Sequence, residues 1–269
     1  MTPLLRRVLT ALLLLGVFVA AVVWAPSWLW AALMAVVVGL AAHEWAHMSD
    51  FTPLAARVYA ILLALCPLLF PVVLGEGGQQ AFLVGLLLLS MAFWLVIAPL
   101  WLLGKWRAQH AFIRAATGVV LLLPTWGALQ YLHARGPLVL LGILAIVWIA
   151  DTAAYFSGRP FGRHKLAPAI SPGKTWEGVA GAWCALALYA GGVSYWSGLD
   201  GLSLVLLMSG LLYFSVLGDL FESWIKRVAG MKDSGAILPG HGGVLDRIDA
   251  LTSTLPIAMA MLMWLEYKL

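Results

Sequence analysis

The sequence predicts an all-α, polytopic integral membrane protein folded as one domain over residues 1–269. Mean hydropathy is +0.96. Apolar residues make up 63% of the chain and charged residues only 10%. The apolar residues also recur in uninterrupted runs of about 20, the length that crosses a bilayer as a helix.

Taken in order, the runs give about nine spans. Residues 8–25 follow Arg6 and Arg7 and read as a retained first span, because its orientation agrees with the rest of the chain. Residues 28–43 form a short second span, and residues 55–74 and 81–103 flank a Gly/Gln turn. Residues 115–132 carry Pro124, a candidate kink. Residues 138–156, 178–196, 202–225 and 248–264 complete the set. With the N-terminus in the cytoplasm, 14 of the 16 Lys and Arg fall inside, leaving Arg135 and Lys268 outside. That asymmetry puts the C-terminus outside. The net charge of +4 records this topology and an attraction for anionic headgroups, and makes no case for nucleic acid. Cys66 and Cys184 lie far apart inside spans and read as buried, inert thiols.

Against this background the polar residues gather on one side. Five of the seven aspartates (Asp151, Asp219, Asp233, Asp246, Asp249) sit in or beside inner segments. Asp219, Glu222, Ser223 and Lys226 are spaced i, i+3, i+4 and i+7, which is one stripe of a helix. Ionisable residues so placed face a partner or a water-filled cavity, either as an internal ion pair or as a site. The glycines from Gly230 to Gly243 end that helix. His241, Gly242 and Gly243 have the composition to bring backbone N–H groups to an anion, although a bare Gly-Gly is usually a turn. Lys226, Arg227 and Lys232 around them suit a polyphosphate. Asp246 and Asp249 open the ninth span at i and i+3, as hard oxygen ligands for Mg²⁺ or as helix-capping acids. A second inner segment carries Asp151, Tyr155, Arg159, Arg163 and Lys165, then Ser171-Pro-Gly-Lys174-Thr175-Trp-Glu177. The latter lacks the glycine spacing and preceding strand of a P-loop.

Residues 223–249, with Lys226-Arg227, Lys232-Asp233-x-Gly235, Leu238-Pro239-x-His241-Gly-Gly and Asp246-Arg247-Ile-Asp249, resemble the signature of the phosphatidate cytidylyltransferase (CDP-diglyceride synthase) family. Residues 171–178 and 151–158 resemble it too, so the likeness is clear over the C-terminal half. The resemblance implies cytidylyl transfer from CTP to phosphatidic acid, giving CDP-diacylglycerol and pyrophosphate. It further implies Mg²⁺ (one or two divalent ions, with a monovalent cation admitted), a homodimer and contact with membrane lipids. The topology turns the site to the cytoplasm, and a compact sequence with no organelle-type presequence reads as a bacterial inner-membrane protein. Asp219, Lys226, Asp246 and Asp249 are then the expected catalytic residues, with Asp219, Asp246 and Asp249 on the metal. Ser223, Arg227, Lys232, His241, Gly242, Gly243, Lys165 and Lys174 are the expected substrate contacts, and Asp151, Glu222, Asp233 and Arg247 their supports. Residues 1–110 are expected to act mainly as scaffold or in dimerisation, with the catalytic portion at 111–269.

Other readings compete. A related CTP-dependent polyprenol or phytol kinase would share the nucleotide site but move a phosphoryl group. A transporter would place its polar residues near the midplane instead. His43-Glu44-Trp-Ala-His47 is formally the H-E-x-x-H of zinc metalloproteases, with Asp200 as a third ligand. The topology puts Asp200 on the outer side, about 30 Å of hydrocarbon away from the two histidines.

Overall fold

The computed structural model describes residues 3–108, 110–238, 240 and 242–268. Helix α1 is Pro3–Trp24, α2 Ser27–Met48 and α3 Pro53–Ala92; a π-turn at Phe93–Ile97 leads into α4, Ala98–Gly104. Then follow α5 Ala111–Ala134, α6 Pro137–Phe161, strands β1 Lys165–Ala167 and β2 Ser171–Thr175, α7 Trp176–Ser197, α8 Gly201–Val228 and α9 Leu245–Lys268. Gly75, at φ 63° and ψ −178°, breaks α3 into two rods.

Each expected span therefore has its helical rod among the described residues. Seven are long and apolar enough to cross a membrane, while Leu15–Trp24 and Pro53–Leu69 are shorter apolar helices. Three details depart from expectation. The all-α reading lacked the β1–β2 hairpin, whose strands are too short and too polar to carry an alternating pattern. Helix α2 runs five residues beyond the expected 43 and takes in the whole His43–His47 segment. Cys184 is exposed, in an apolar groove on the outside of the bundle, where a burial reading from hydropathy alone fails.

A proline within the last span frees a backbone carbonyl, and a tryptophan takes it up. Pro256 has no N–H for the Thr252 carbonyl one turn earlier. That oxygen instead accepts Trp94 Nε1 at 3.0 Å and Thr125 Oγ1 at 3.4 Å, tying α9 to the π-turn and to α5. Inside a bilayer such re-satisfaction is obligatory. Pro99 likewise removes a donor, and the Ala98 N–H bonds Phe93 O in the wider π pattern. The π-turn delivers Phe93 and Trp94 edge-on to Phe221, at 5.3 and 5.7 Å between ring centroids, and Trp101 closes the set at 5.5 Å. Phe221 is thereby clamped one residue before Glu222. Pro124, by contrast, is accommodated within a continuous α5.

The antiparallel pair α8–α9 packs closely at Gly218. A Cβ on Gly218 would stand 2.8 Å from Asp249 O and 3.3 Å from Ala250 Cα, besides striking Ser253 Oγ. Ser253 Oγ in turn donates to Phe214 O at 2.6 Å. Contacts sort the helix ends into two faces. One, labelled outer after the positive-inside expectation, includes the Arg135–Glu266 ion pair, and the other, labelled inner, holds the ends of α2, α6 and α8 and the starts of α5, α7 and α9. Gly218→Ala should lower stability by about 1–3 kcal/mol through overpacking. The thermal midpoint of the purified protein in detergent checks this, and an unchanged midpoint would contradict the close crossing.

Candidate active site

At the inner face, β1 and β2 fold back antiparallel, with Lys165 opposite Thr175 and Ala167 opposite Ser171. The hairpin is pinned at both ends. The Trp176 N–H reaches His164 O at 2.9 Å, His164 Nδ1 meets Glu177 at 2.6 Å, and Thr175 caps α7 through the Gly178 N–H. With α6, α7 and α8 it encloses a cavity of about 690 Å³. Asp151 and Arg159 line it from α6, Lys165 and Lys174 from the hairpin, and Asp219 from α8. Lys174 Nζ forms an ion pair with Asp219 Oδ2, and Ser223 Oγ donates to the other Asp219 oxygen at 3.2 Å. The hairpin motif and the C-terminal motif, separate in sequence, thus meet at Asp219.

Deeper in, the close α8–α9 crossing sets two rows of charges against each other. Lys226 Nζ lies 2.6 Å from Asp246 Oδ1 and 3.4 Å from Glu222 Oε1. Asp249 stands beside Glu222 and near Asp219. Both Glu222 oxygens are buried, and the long Lys226 ion pair and the neighbouring Asp249 carboxyl are their partners. The other Asp246 oxygen accepts the N–H groups of Ser234 and Gly243, each at 2.9 Å. Three of its roughly four acceptor positions are therefore filled within the chain.

A residue from the N-terminal part holds this assembly in place. Glu44, on α2, is 3% exposed. Its carboxylate accepts the N–H groups of Val244 at 3.0 Å and Leu245 at 2.8 Å, and Ser234 Oγ at 3.1 Å. The two backbone groups are free donors at the start of α9, where negative charge is favoured. Only glycine admits the carboxylate so closely: a Cβ on Gly235 would lie 2.6 Å from Glu44 Oε1, and one on Gly243 2.5 Å from Oε2. The glycine-rich loop does bring backbone N–H groups to anions, as its composition suggested, and the anions in this structure are Glu44 and Asp246.

The same geometry removes the zinc-protease reading. His43 and His47 are exposed while Glu44 points inward with both oxygens engaged, the inverse of a metal site with a glutamate base. Asp200 caps the opposite end of α8, accepting the Ser203 N–H at 2.7 Å. That helix is 28 residues, about 42 Å, long.

Of the residues expected at the site, Asp151, Lys165, Lys174, Asp219 and Ser223 gather at the cavity. Glu222, Lys226, Asp246 and Asp249 form the adjoining charge rows. Arg227 is turned to backbone carbonyls, Ile170 O at 3.4 Å and Met231 O at 3.3 Å, and so bridges the hairpin turn to the glycine loop. Lys232, Asp233 and Arg247 are exposed on that loop and the first turn of α9. Gly242 adopts φ +83° against Asp246. His241 lies outside the described residues. Tyr155, Arg159 and Thr175 at the cavity were not expected as site residues, and neither was Glu44 as its anchor. One signal was available: a glutamate within an apolar helix requires partners.

A cavity of about 690 Å³ at the ends of helices long and apolar enough to cross a membrane, with paired lysines and carboxylates, suits a membrane-embedded enzyme acting on phosphorylated substrates. Residues 5–265 match the model of the cytidylyltransferase family, and the chain belongs to that family. It is 40% identical over 274 residues to a phosphatidate cytidylyltransferase of Pseudomonas aeruginosa, covering 96% of both chains. It is 35% identical over 263 residues to that of Brucella suis, covering 94% of this chain and 91% of the relative. Over a shorter stretch of 128 residues it is 48% identical to that of Haemophilus influenzae, covering 45% and 44% of the two chains.

Glu44→Ala strips three buried donors of their acceptor and should cost about 3 kcal/mol or more. His43→Ala and His47→Ala, on the exposed side, should stay within about 0.5 kcal/mol. Denaturation midpoints of the three variants check the contrast; equal effects at all three positions would contradict the Glu44 anchor.

Proposed function

We propose that the protein transfers the cytidylyl group of CTP to phosphatidate, forming CDP-diacylglycerol and releasing pyrophosphate. Membership of the cytidylyltransferase family supports the reaction class. The observation that carries the geometry is Lys174 paired with Asp219, where the basic hairpin cavity joins the α8–α9 carboxylates. A phosphate oxygen of phosphatidate attacks the α-phosphorus of CTP, and the bond to the β-phosphate breaks. The substrate supplies its own nucleophile, so the protein needs no serine or cysteine. Its task is to bring two polyanions together and hold them in line, which is positioning plus electrostatics.

In this reading Lys165 and Lys174, with Arg159, receive the phosphates in the hairpin cavity. The Asp219 carboxylate holds Lys174 extended into that cavity and fixes Ser223 beside it. Lys226 stays buried, keeping Asp246 and Glu222 in register. Arg227, Lys232, Gly242, Gly243 and His241 are assigned to the rim from which the nucleotide enters, and Asp233 and Arg247 to its support.

The carboxylates fit a divalent cation. Asp151, Asp219, Glu222, Asp246 and Asp249 outnumber the neighbouring Lys165, Lys174, Lys226 and Arg159 by one, and the donors are all hard oxygen. Asp219 and Asp249 would hold the ion, with Asp246 giving at most one further lone pair. Among the described residues no three His, Cys, Asp or Glu side chains form a ready metal site. Phosphate and water oxygens would complete the shell, as is usual for Mg²⁺. Bound there, the ion would neutralise charge on the leaving pyrophosphate. The positive-inside pattern supports nine spans with a cytoplasmic site and an outer C-terminus. Residues 1–110, apart from the Glu44 anchor, are assigned to scaffold and dimer surface, and the membrane to a bacterial inner one.

Purified protein given CTP and phosphatidate with Mg²⁺ should form CDP-diacylglycerol and pyrophosphate in equal amounts. CDP with a newly phosphorylated lipid alcohol would instead establish the kinase reading. Asp249→Asn should reduce turnover at least about 100-fold with the protein still folded; near-normal turnover would remove Asp249 from the site.

A further inference from the structure

A second concavity, of about 590 Å³, runs along the outside of the bundle between α7 and α8, and no charged side chain lines it. Apolar exposure by itself means nothing on a bilayer-facing surface. This groove differs because Val179, Leu212 and Val216 line both it and the hairpin cavity. One aliphatic wall separates the proposed phosphate site from the lipid. Along α7 the groove extends from Trp176 to Cys184, a rise of about 12 Å. A single leaflet of hydrocarbon is about 15 Å deep. At the deep end Trp183 Nε1 donates to Ser209 Oγ at 2.8 Å, and Ser209 Oγ donates to Val205 O at 2.6 Å. These polar atoms satisfy one another and tie α7 to α8 across the groove.

We propose that one acyl chain of the phosphatidate substrate lies in this groove and that the Trp183–Ser209 bridge sets the chain length it accepts. The inference rests on the functional reading above. A chain leaving the bilayer for the groove gains no hydrophobic free energy, because lipid tails are equally apolar. The groove therefore acts by shape, selecting among chains while the phosphate site supplies the binding. A phosphate held at Lys174 brings the glycerol toward the wall that Val179, Leu212 and Val216 share with the groove, and a chain passing over the edge of that wall reaches the groove.

The test compares dioleoyl- and dihexanoyl-phosphatidate as substrates of the full-length protein in mixed micelles. Cys184→Trp fills the deep end and should lower kcat/KM for the dioleoyl lipid about tenfold. The dihexanoyl lipid, whose chains end short of residue 184, should lose less than about twofold. Trp183→Ala lengthens the groove and should raise the preference for long chains, which keeps the proposal falsifiable if Cys184→Trp fails to fold. Equal losses on both lipids, or no loss on either, would overturn it. Equal losses with an altered oligomer size would make the groove a protein contact instead. Wild-type protein inactive on both lipids would remove the functional reading itself, a result distinguishable from failure of the groove.

Discussion

The carboxylate of Glu44 is the interaction on which the inner face depends. It joins α2 to the start of α9, some 200 residues away in sequence. It also sets the glycine loop, because Gly235 and Gly243 leave no room for any other residue beside it. From there the order is mechanical. A fixed α9 start presents Asp246 to Lys226, and Lys226 draws in Glu222. The crossing at Gly218 then brings Asp249 against the same stripe. Without the anchor, three buried donors would compete for Asp246, and the two charge rows would lose their register.

The bilayer explains why the scaffold is built as it is. Pro256 leaves a carbonyl that water cannot reach, and the protein answers with an indole N–H from a neighbouring helix. Trp94 on the Thr252 carbonyl also aims the π-turn at Phe221. Trp45 on the Arg114 carbonyl and Trp224 on the Trp106 carbonyl fasten neighbouring segments in the same way, on carbonyls that no proline has freed. The aromatic residues are therefore fasteners with direction as well as apolar bulk.

Much of this was legible in the sequence. Apolar runs of bilayer length gave the helices, and the i, i+3, i+4, i+7 spacing correctly placed Asp219, Glu222, Ser223 and Lys226 on one face. Relations across space were not legible. The pairing of Lys174 with Asp219 depends on how a short polar hairpin folds back, which no periodicity records. The partner of Glu44 lies in a loop whose glycines suggest a ligand phosphate as readily as an internal carboxylate. The His43–His47 segment invited a zinc reading because residue spacing is silent on which way a side chain points.

The central claim is that the hairpin motif and the C-terminal motif form one catalytic site through Lys174 and Asp219. A double-mutant cycle on kcat/KM for CDP-diacylglycerol formation, using Lys174→Ala, Asp219→Asn and the pair, tests it most directly. The account predicts strong non-additivity, with a coupling of about 1.5 kcal/mol or more and the double variant little worse than the poorer single one. Losses that add to within about 0.5 kcal/mol would show that the two residues act independently, and would contradict it.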